Sequence, residues 1–329
     1  MSIKVIYCPA CSAPLPPETL PNQLVACPSC GATLYLSENE IGHFKDGIPV
    51  ATPTRVYTVL DLLSRDDVCS VYRCRYTAQD RQWQGMFRLS RDSDDNDLVK
   101  TEAQTLFHLQ GSSQYDDFSP FLPTVLESFV YHDSSLQGGR QVNIFGLHEG
   151  IRGPNELYSL EEVKQHYPNG IDPRDMAWMW RRLLYVLGFI HNAGVVHGGV
   201  IPAHVLIEVK DRKHVLTGWV FSVRRPDPMR AISVSHEDWY PQEVFNKKPS
   251  SPALDLAMGA RCMMYLIGAD PLDDAPEHRN LEPEMARYFG RCIQHKPQDA
   301  WALLAEFDKI MDKVWGERVF RVFPMPYKP

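Results

Sequence analysis

Four cysteines near the start of the chain form the pattern C-x2-C-x15-C-x2-C, as Cys8-Pro9-Ala10-Cys11 and Cys27-Pro28-Ser29-Cys30. Each CxxC turn aims two thiolates at one point, and the residues between the pairs suffice for a hairpin that brings both turns to a single ion. Four thiolates close a tetrahedral Zn2+ shell and leave no position for water, so the expected role is structural rather than catalytic. A module this short cannot bury enough apolar surface to fold unaided, and metal binding then supplies its folding free energy. Disulfides or unrelated thiols are the alternatives. The spacing, and a start in which Cys8-Pro9 interrupts any apolar signal-peptide core, favour the metal. The other four cysteines, Cys69, Cys74, Cys262 and Cys292, are scattered and read as plain thiols of a reducing compartment.

The rest of the composition narrows the class of protein. With 329 residues, 44% of them hydrophobic and 23% charged, the chain can hold one large two-lobed domain and a small appendage. No apolar run is long enough to cross a bilayer, so the cytoplasm is the expected compartment. A net charge of −7 argues against a general nucleic-acid surface, because binding a polyanion requires clustered Lys and Arg. Arg181-Arg182, Arg224-Arg225 and Lys247-Lys248 are local basic spots that read as solvated faces.

The elements follow from periodicity. Residues 1–40 are the expected ribbon and 41–54 a Gly- and Pro-containing linker. Short alternating runs at 56–60, 68–76 and 83–89 read as consecutive strands. An acidic turn then precedes a helix over 98–109 with Asp97 as its expected N-cap. Two further strands are expected at 124–131 and 141–147. After residue 150 the pattern is mainly helical. A long helix runs from Asp172-Pro173 to His191-Asn192-Ala193-Gly194, with an N-cap Asp, a first-turn Pro and a Gly stop. Helices are also expected over 255–266, 282–292 and 299–314.

Five strands, with a helix after the third and a helical half behind them, is the order of the protein-kinase fold. The run from Gly194 to Ile207, Gly-Val-Val-His-Gly-Gly-Val-Ile-Pro-Ala-His-Val-Leu-Ile, resembles the kinase catalytic loop H-R-D-L-x-x-x-N, with His197, Pro202 and Leu206 in register. The resemblance implies an α+β, two-lobed kinase-like fold, β-rich over 55–149 and helical over 150–329.

Carried over residue by residue, the resemblance also implies losses. Gly199 stands where the catalytic Asp accepts the substrate proton, and His204 where an Asn holds magnesium. Gly218-Trp219-Val220 replaces Asp-Phe-Gly. Arg88 takes the place of the third-strand Lys and could pair with Glu102 of the helix, though the two cations differ in donor geometry. Ser64-Arg65-Asp66-Asp67-Val68-Cys69-Ser70-Val71 covers the glycine-rich loop without a glycine. Its two Asp would repel a triphosphate by about 1 to 4 kcal/mol per pair of unit charges. Leu106, His197 and Trp219 fall at regulatory-spine positions, and Asp255 at that of the Asp bracing the catalytic loop. Pro241-Gln242-Glu243 resembles the A-P-E end of the activation segment, whose usual Arg partner is Ala300 here.

The expected function is therefore that of a catalytically inactive pseudokinase. It would bind another protein through the inter-lobe cleft or the segment 221–240, and bind ATP and Mg2+ weakly or not at all. Alternatives are an unconventional nucleotide-binding kinase or transferase, using His204 or Glu102, and an adaptor whose ribbon touches nucleic acid, which the sparse basic residues disfavour.

Overall fold

The computed structural model describes residues 6–16, 19, 21–37, 47–134, 138–147, 151, 153–276, 278, 281–317 and 319–328. The chain divides into two compact units. One comprises residues 1–104 and 124–154, the other 105–123 and 155–329.

The first unit is built on a single sheet. Its strands are β1 (Leu24–Ala26), β2 (Thr33–Leu36), β3 (Ile48–Ala51), β4 (Val56–Arg65), β5 (Cys69–Ala78), β6 (Arg81–Ser90), β7 (Thr124–His132) and β8 (Arg140–Gly146). They lie in the order β1-β2-β7-β8-β6-β5-β4-β3. Helix α1 (Asn96–Gln110) follows β6, so the expected succession of three strands, one helix and two strands is present. Alternation along β4 and β5 turns Tyr57, Val59, Cys74 and Tyr76 into one core with Phe87, Phe129 and Ile144. The N-terminus of α1 departs from expectation. A single turn over Ser93–Asp95, capped by the Asp92 carboxylate, leads directly into the helix, and Asp97 lies in its first turn rather than at its cap.

The cysteine-bearing segment belongs to this same unit. β1 and β2 form its hairpin, and β2 then pairs in parallel with β7, Leu34 opposite Val130 and Leu36 opposite His132. Tyr35 on β2 is fully buried and stacks on Tyr131 at 5.7 Å between ring centres. On the opposite face Cys8, Leu15, Cys27 and Leu34 pack with Val130 of β7. Of the expected linker, residues 41–46 lie outside the described residues, and residues 48–51 are strand β3 on the sheet edge. That part of the linker expectation is corrected: Ile48 and Val50 point into the core, while Pro49 tolerates an edge position where no ladder N–H is required.

The second unit contains α2 (Tyr115–Phe118), β9 (Tyr158–Ser159), α3 (Leu160–His166), α4 (Pro173–Asn192), β10 (Val195–Val196), β11 (Val205–Glu208), β12 (Lys213–Leu216), β13 (Val223–Arg224), α5 (Gln242–Phe245), α6 (Pro252–Ile267), α7 (Pro283–Ile293) and α8 (Ala300–Trp315). α4 starts at a capping Asp172 and Pro173 as expected. It buries Met176, Met179, Trp180, Leu183, Leu187 and Ile190. α6 is buried almost all round, which is why its sequence lacks a polar stripe. Past α8 the chain folds back as an extended strap. Tyr158 and Tyr167 donate hydrogen bonds to the carbonyls of Pro326 and Pro324, and Phe323 is buried. No helix among the described residues is long and apolar enough to cross a membrane.

Candidate functional site

The four N-terminal thiols converge. Cys8, Cys11, Cys27 and Cys30 bring their sulfurs within 4.8 Å of one another, with Cys8–Cys30 at 3.8 Å and Cys11–Cys27 at 3.7 Å. A tetrahedron with Zn–S bonds of about 2.3 Å has sulfur–sulfur edges of about 3.8 Å, so the donors fit a four-thiolate ion such as zinc. The two turns are built alike. Ser12 and Gly31 donate to the carbonyls of Cys8 and Cys27, and the Cys8 and Cys27 amides donate to Ala13 and Ala32. The amides of Cys30 and Ser29 point at the Cys27 sulfur and bring its pKa down to about 6, whereas burial pushes Cys8 up to about 12, so the full set of thiolates depends on the cation. The ion would be closed off from substrate by its four ligands.

In the strand-rich unit the side chains expected at phosphate-binding positions bind one another. Arg88 on β6 lies 3.5 Å from the Glu102 carboxylate on α1, so the expected pair is present. Asn143 on β8 steadies that carboxylate through a 3.0 Å hydrogen bond while donating also to the Val99 carbonyl. The sequence reading set Asp66 against a triphosphate and missed its contact with Arg88. Its Oδ2 accepts a 2.8 Å hydrogen bond from Arg88, and its Oδ1 accepts from the amides of Val68 and Cys69 at 2.9 and 2.6 Å. The loop carboxylate thus turns inward onto the guanidinium. Burial by itself would lower the Arg88 pKa, yet its surroundings hold it well above the ordinary value. Cys69, whose thiol burial pushes up to about 12, is neutral, and Glu102 and Asp66 carry the stabilisation. A short polar residue followed by two amides at a strand entry is a recognisable capping signal, but its second contact depends on β6 lying alongside.

In the helical unit the loop 197–204 is held by Asp255 at the start of α6. The fully buried carboxylate accepts from the Gly198 amide at 2.7 Å, the His197 amide at 2.8 Å and His191 Nε2 at 2.9 Å. The brace expected from the resemblance is therefore in place. The His197 ring donates from Nε2 to the Thr217 carbonyl at 3.0 Å and accepts the Gly199 amide at Nδ1. It also stands edge-on to Trp219, with ring centres 4.6 Å apart. Burial pushes the His197 pKa down to about 3 and keeps the ring neutral. Leu106, the other spine position, is buried as well.

At Gly199, His204 and Gly218, the positions where the resemblance places catalytic residues, the space is filled. His204 donates from Nδ1 to the Gly199 carbonyl at 2.8 Å, and its ring lies 5.7 Å from that of Phe221. A Cβ on Gly199 would fall 2.6 Å from the Phe221 ring, and one on Gly218 would fall 2.4 Å from the His204 ring. Gly218 moreover has φ +80°, a left-handed conformation that disfavours a side chain.

The segment after Gly218 is anchored differently from the A-P-E pattern. Among the described residues Glu243 forms no ion pair, and Ala300, where its Arg partner was sought, is buried at the head of α8. The Tyr240 hydroxyl takes over, donating to the Gly198 carbonyl at 2.9 Å and accepting the Ser233 amide at 3.1 Å. β13 pairs with β10, and the Arg225 amide donates to the Gly194 carbonyl. Nothing in the local sequence marks Tyr240 for this role, because its partner is 42 residues away.

Neither a protein-family model nor a curated protein matches the chain. Among solved structures, the crystal structure of the BubR1 kinase domain is similar with a TM-score of 0.60 at 12% sequence identity, over 90% of this chain and 88% of that one. At that identity the likeness speaks to the fold alone. Together with the order of strands and helices, it establishes a protein-kinase-like fold that carries at its start a four-cysteine centre fitting a zinc ribbon.

Proposed function

We propose that this chain is a pseudokinase: it transfers no phosphate, binds ATP and Mg2+ weakly or not at all, and acts in the cytoplasm by binding another protein, with zinc as a structural ion. The observation that carries the reading is the packing at Gly199 and Gly218, where the rings of Phe221 and His204 occupy the room that carboxylates would need. Phosphoryl transfer rests on positioning and on metal-assisted charge stabilisation, so a site without its base and both magnesium ligands lacks the means. The Asp66 carboxylate on Arg88 adds to this, since the one cation at the lysine position already has two anionic partners.

A protein partner is inferred from what remains. The segment 221–240 is tied down at Val223, Arg225 and Tyr240, yet it exposes Val234, and Phe245 is exposed just beyond it. Apolar side chains on a loop fixed by a rigid scaffold suit recognition.

The test incubates the zinc-loaded chain with labelled ATP, magnesium or manganese, and generic acceptor proteins. No transfer above background is expected. Transfer that disappears in both Arg88→Ala and Glu102→Ala would contradict the reading, because contamination would survive those changes.

A further inference from the structure

The helical unit contains a cavity of about 330 Å3 formed by α4, the turn between β11 and β12, the end of α8 and the strap. Its lining combines cations with flat apolar surface: Arg174 and Arg212, Trp178 and Trp315, and Met311. The guanidiniums are disposed over rings. Arg174 lies 5.7 Å from the Trp315 ring, and Arg212 lies 5.6 Å from Trp178 and 4.2 Å from Phe320.

The donors in this cavity exceed the acceptors. Two further lining arginines are already neutralised, Arg181 by Asp308 and Arg321 by Asp172 and Asp175. Among the described residues neither Arg174 nor Arg212 forms an ion pair, although one Arg212 Nη donates to the Arg321 carbonyl. Trp178 is 8% exposed, and its indole N–H is buried without a hydrogen-bond partner. Buried polar groups are nearly always paired, so an orphaned donor beside two arginines that form no ion pair among the described residues calls for an acceptor. Glu317, which is exposed, is the one carboxylate in the lining among the described residues. Arg212 also holds φ +52° in its turn, stabilised by the Glu208 carboxylate accepting from the amides of Lys210 and Asp211.

We propose that this cavity binds a small aromatic anion, a flat ring bearing a phosphate or carboxylate, with the ring against Trp315 and Trp178 and the anionic oxygens on Arg174 and Arg212. The volume lies at the lower end of small-ligand pockets, about 300 to 1,000 Å3, which suits one ring system and one acid group. Guanidiniums bind carboxylates and phosphates through two parallel N–H donors, and indole faces stack on flat rings as well as on cations. None of these residues occupies a degenerate kinase position, so the inference stands or falls apart from the pseudokinase reading.

Titrations of the zinc-loaded full chain, followed by tryptophan fluorescence and calorimetry, test it with phenyl phosphate, adenosine 5′-monophosphate, inorganic phosphate and adenosine. The two aromatic phosphates should saturate at submillimolar concentration, while inorganic phosphate and adenosine should bind at least tenfold more weakly. Arg174→Gln, on an exposed helix position that folding does not need, and Trp315→Ala should each weaken phenyl phosphate at least fivefold with circular dichroism unchanged. The proposal is overturned by absence of saturation, by phosphate or adenosine binding as tightly as the aromatic phosphates, or by affinities that both variants leave intact. Adenosine monophosphate binding lost in Arg88→Ala but retained in Arg174→Gln would likewise overturn it, by locating the nucleotide in the other unit.

Discussion

Gly199 and Gly218 leave no room for a larger side chain without displacing a neighbour. The Phe221 and His204 rings lie where a Cβ at Gly199 and at Gly218 would fall, and the Nδ1 hydrogen bond from His204 to the Gly199 carbonyl ties the two positions together. Restoring one acid must then displace a neighbour. Gly218→Asp should destabilise the chain by about 2 to 5 kcal/mol, combining a left-handed φ worth about 1 to 2 kcal/mol with overpacking worth about 1 to 3 kcal/mol. In the His204→Ala background the overpacking part should vanish and the backbone part remain. Urea unfolding of the four chains in this cycle checks the coupling, and additive costs would show that His204 is not the obstacle. The loop from His197 to His204 was singled out in the sequence by its resemblance, with His197, Pro202 and Leu206 in register. The filling was not, since Phe221 is brought to Gly199 only by the turn over Trp219–Phe221.

Among the elements, β2 carries the largest consequence. A ribbon joined by a tether would melt by itself, whereas here β2 lies in the sheet beside β7 and Tyr35 sits in the core of the unit. Metal binding then stabilises more than the ribbon. Chelating zinc, or making Cys27→Ser, should lower the unfolding midpoint of the strand-rich unit and speed amide exchange in Tyr131 and His132 as well as in Leu34 to Leu36. Exchange confined to residues 6–37 would contradict that coupling. The CxxC pairs, the long strands and the helices α1, α4, α6, α7 and α8 were readable from spacing and period. Strand β3 was hidden by Pro49, which reads as a breaker yet is harmless on an edge. The parallel pairing of β2 with β7 joins segments nearly 100 residues apart, and no local pattern encodes it. By contrast, the capping box that Ser159 and Glu162 form at the start of α3 is a local signal that the sequence did contain and the sequence reading passed over.

The whole molecule should be sensitive to mild acid. Burial lowers the pKa of His197 and His214 to about 3 and of His295 to about 4, all from 6.5. Their folded values lie below the unfolded one, so the unfolded chain binds more protons in between. The stability they contribute is complete above pH 6.5 and is lost as the pH falls toward those values, at roughly 1 kcal/mol per pH unit for each ring. His214 isolates the effect, because both its ring nitrogens are buried without a hydrogen-bond partner. His214→Phe should therefore gain stability over the parent at pH 5 relative to pH 8, read from denaturant midpoints at the two values. An equal difference at both would place the acid sensitivity elsewhere.

Loss of metal–nucleotide handling is the claim on which the account of this molecule depends, and calorimetric titration of magnesium–ATP into the zinc-loaded full chain tests it most directly. The account predicts no magnesium-dependent heat of binding at millimolar nucleotide. A saturable, magnesium-dependent isotherm that Arg88→Ala abolishes would contradict it.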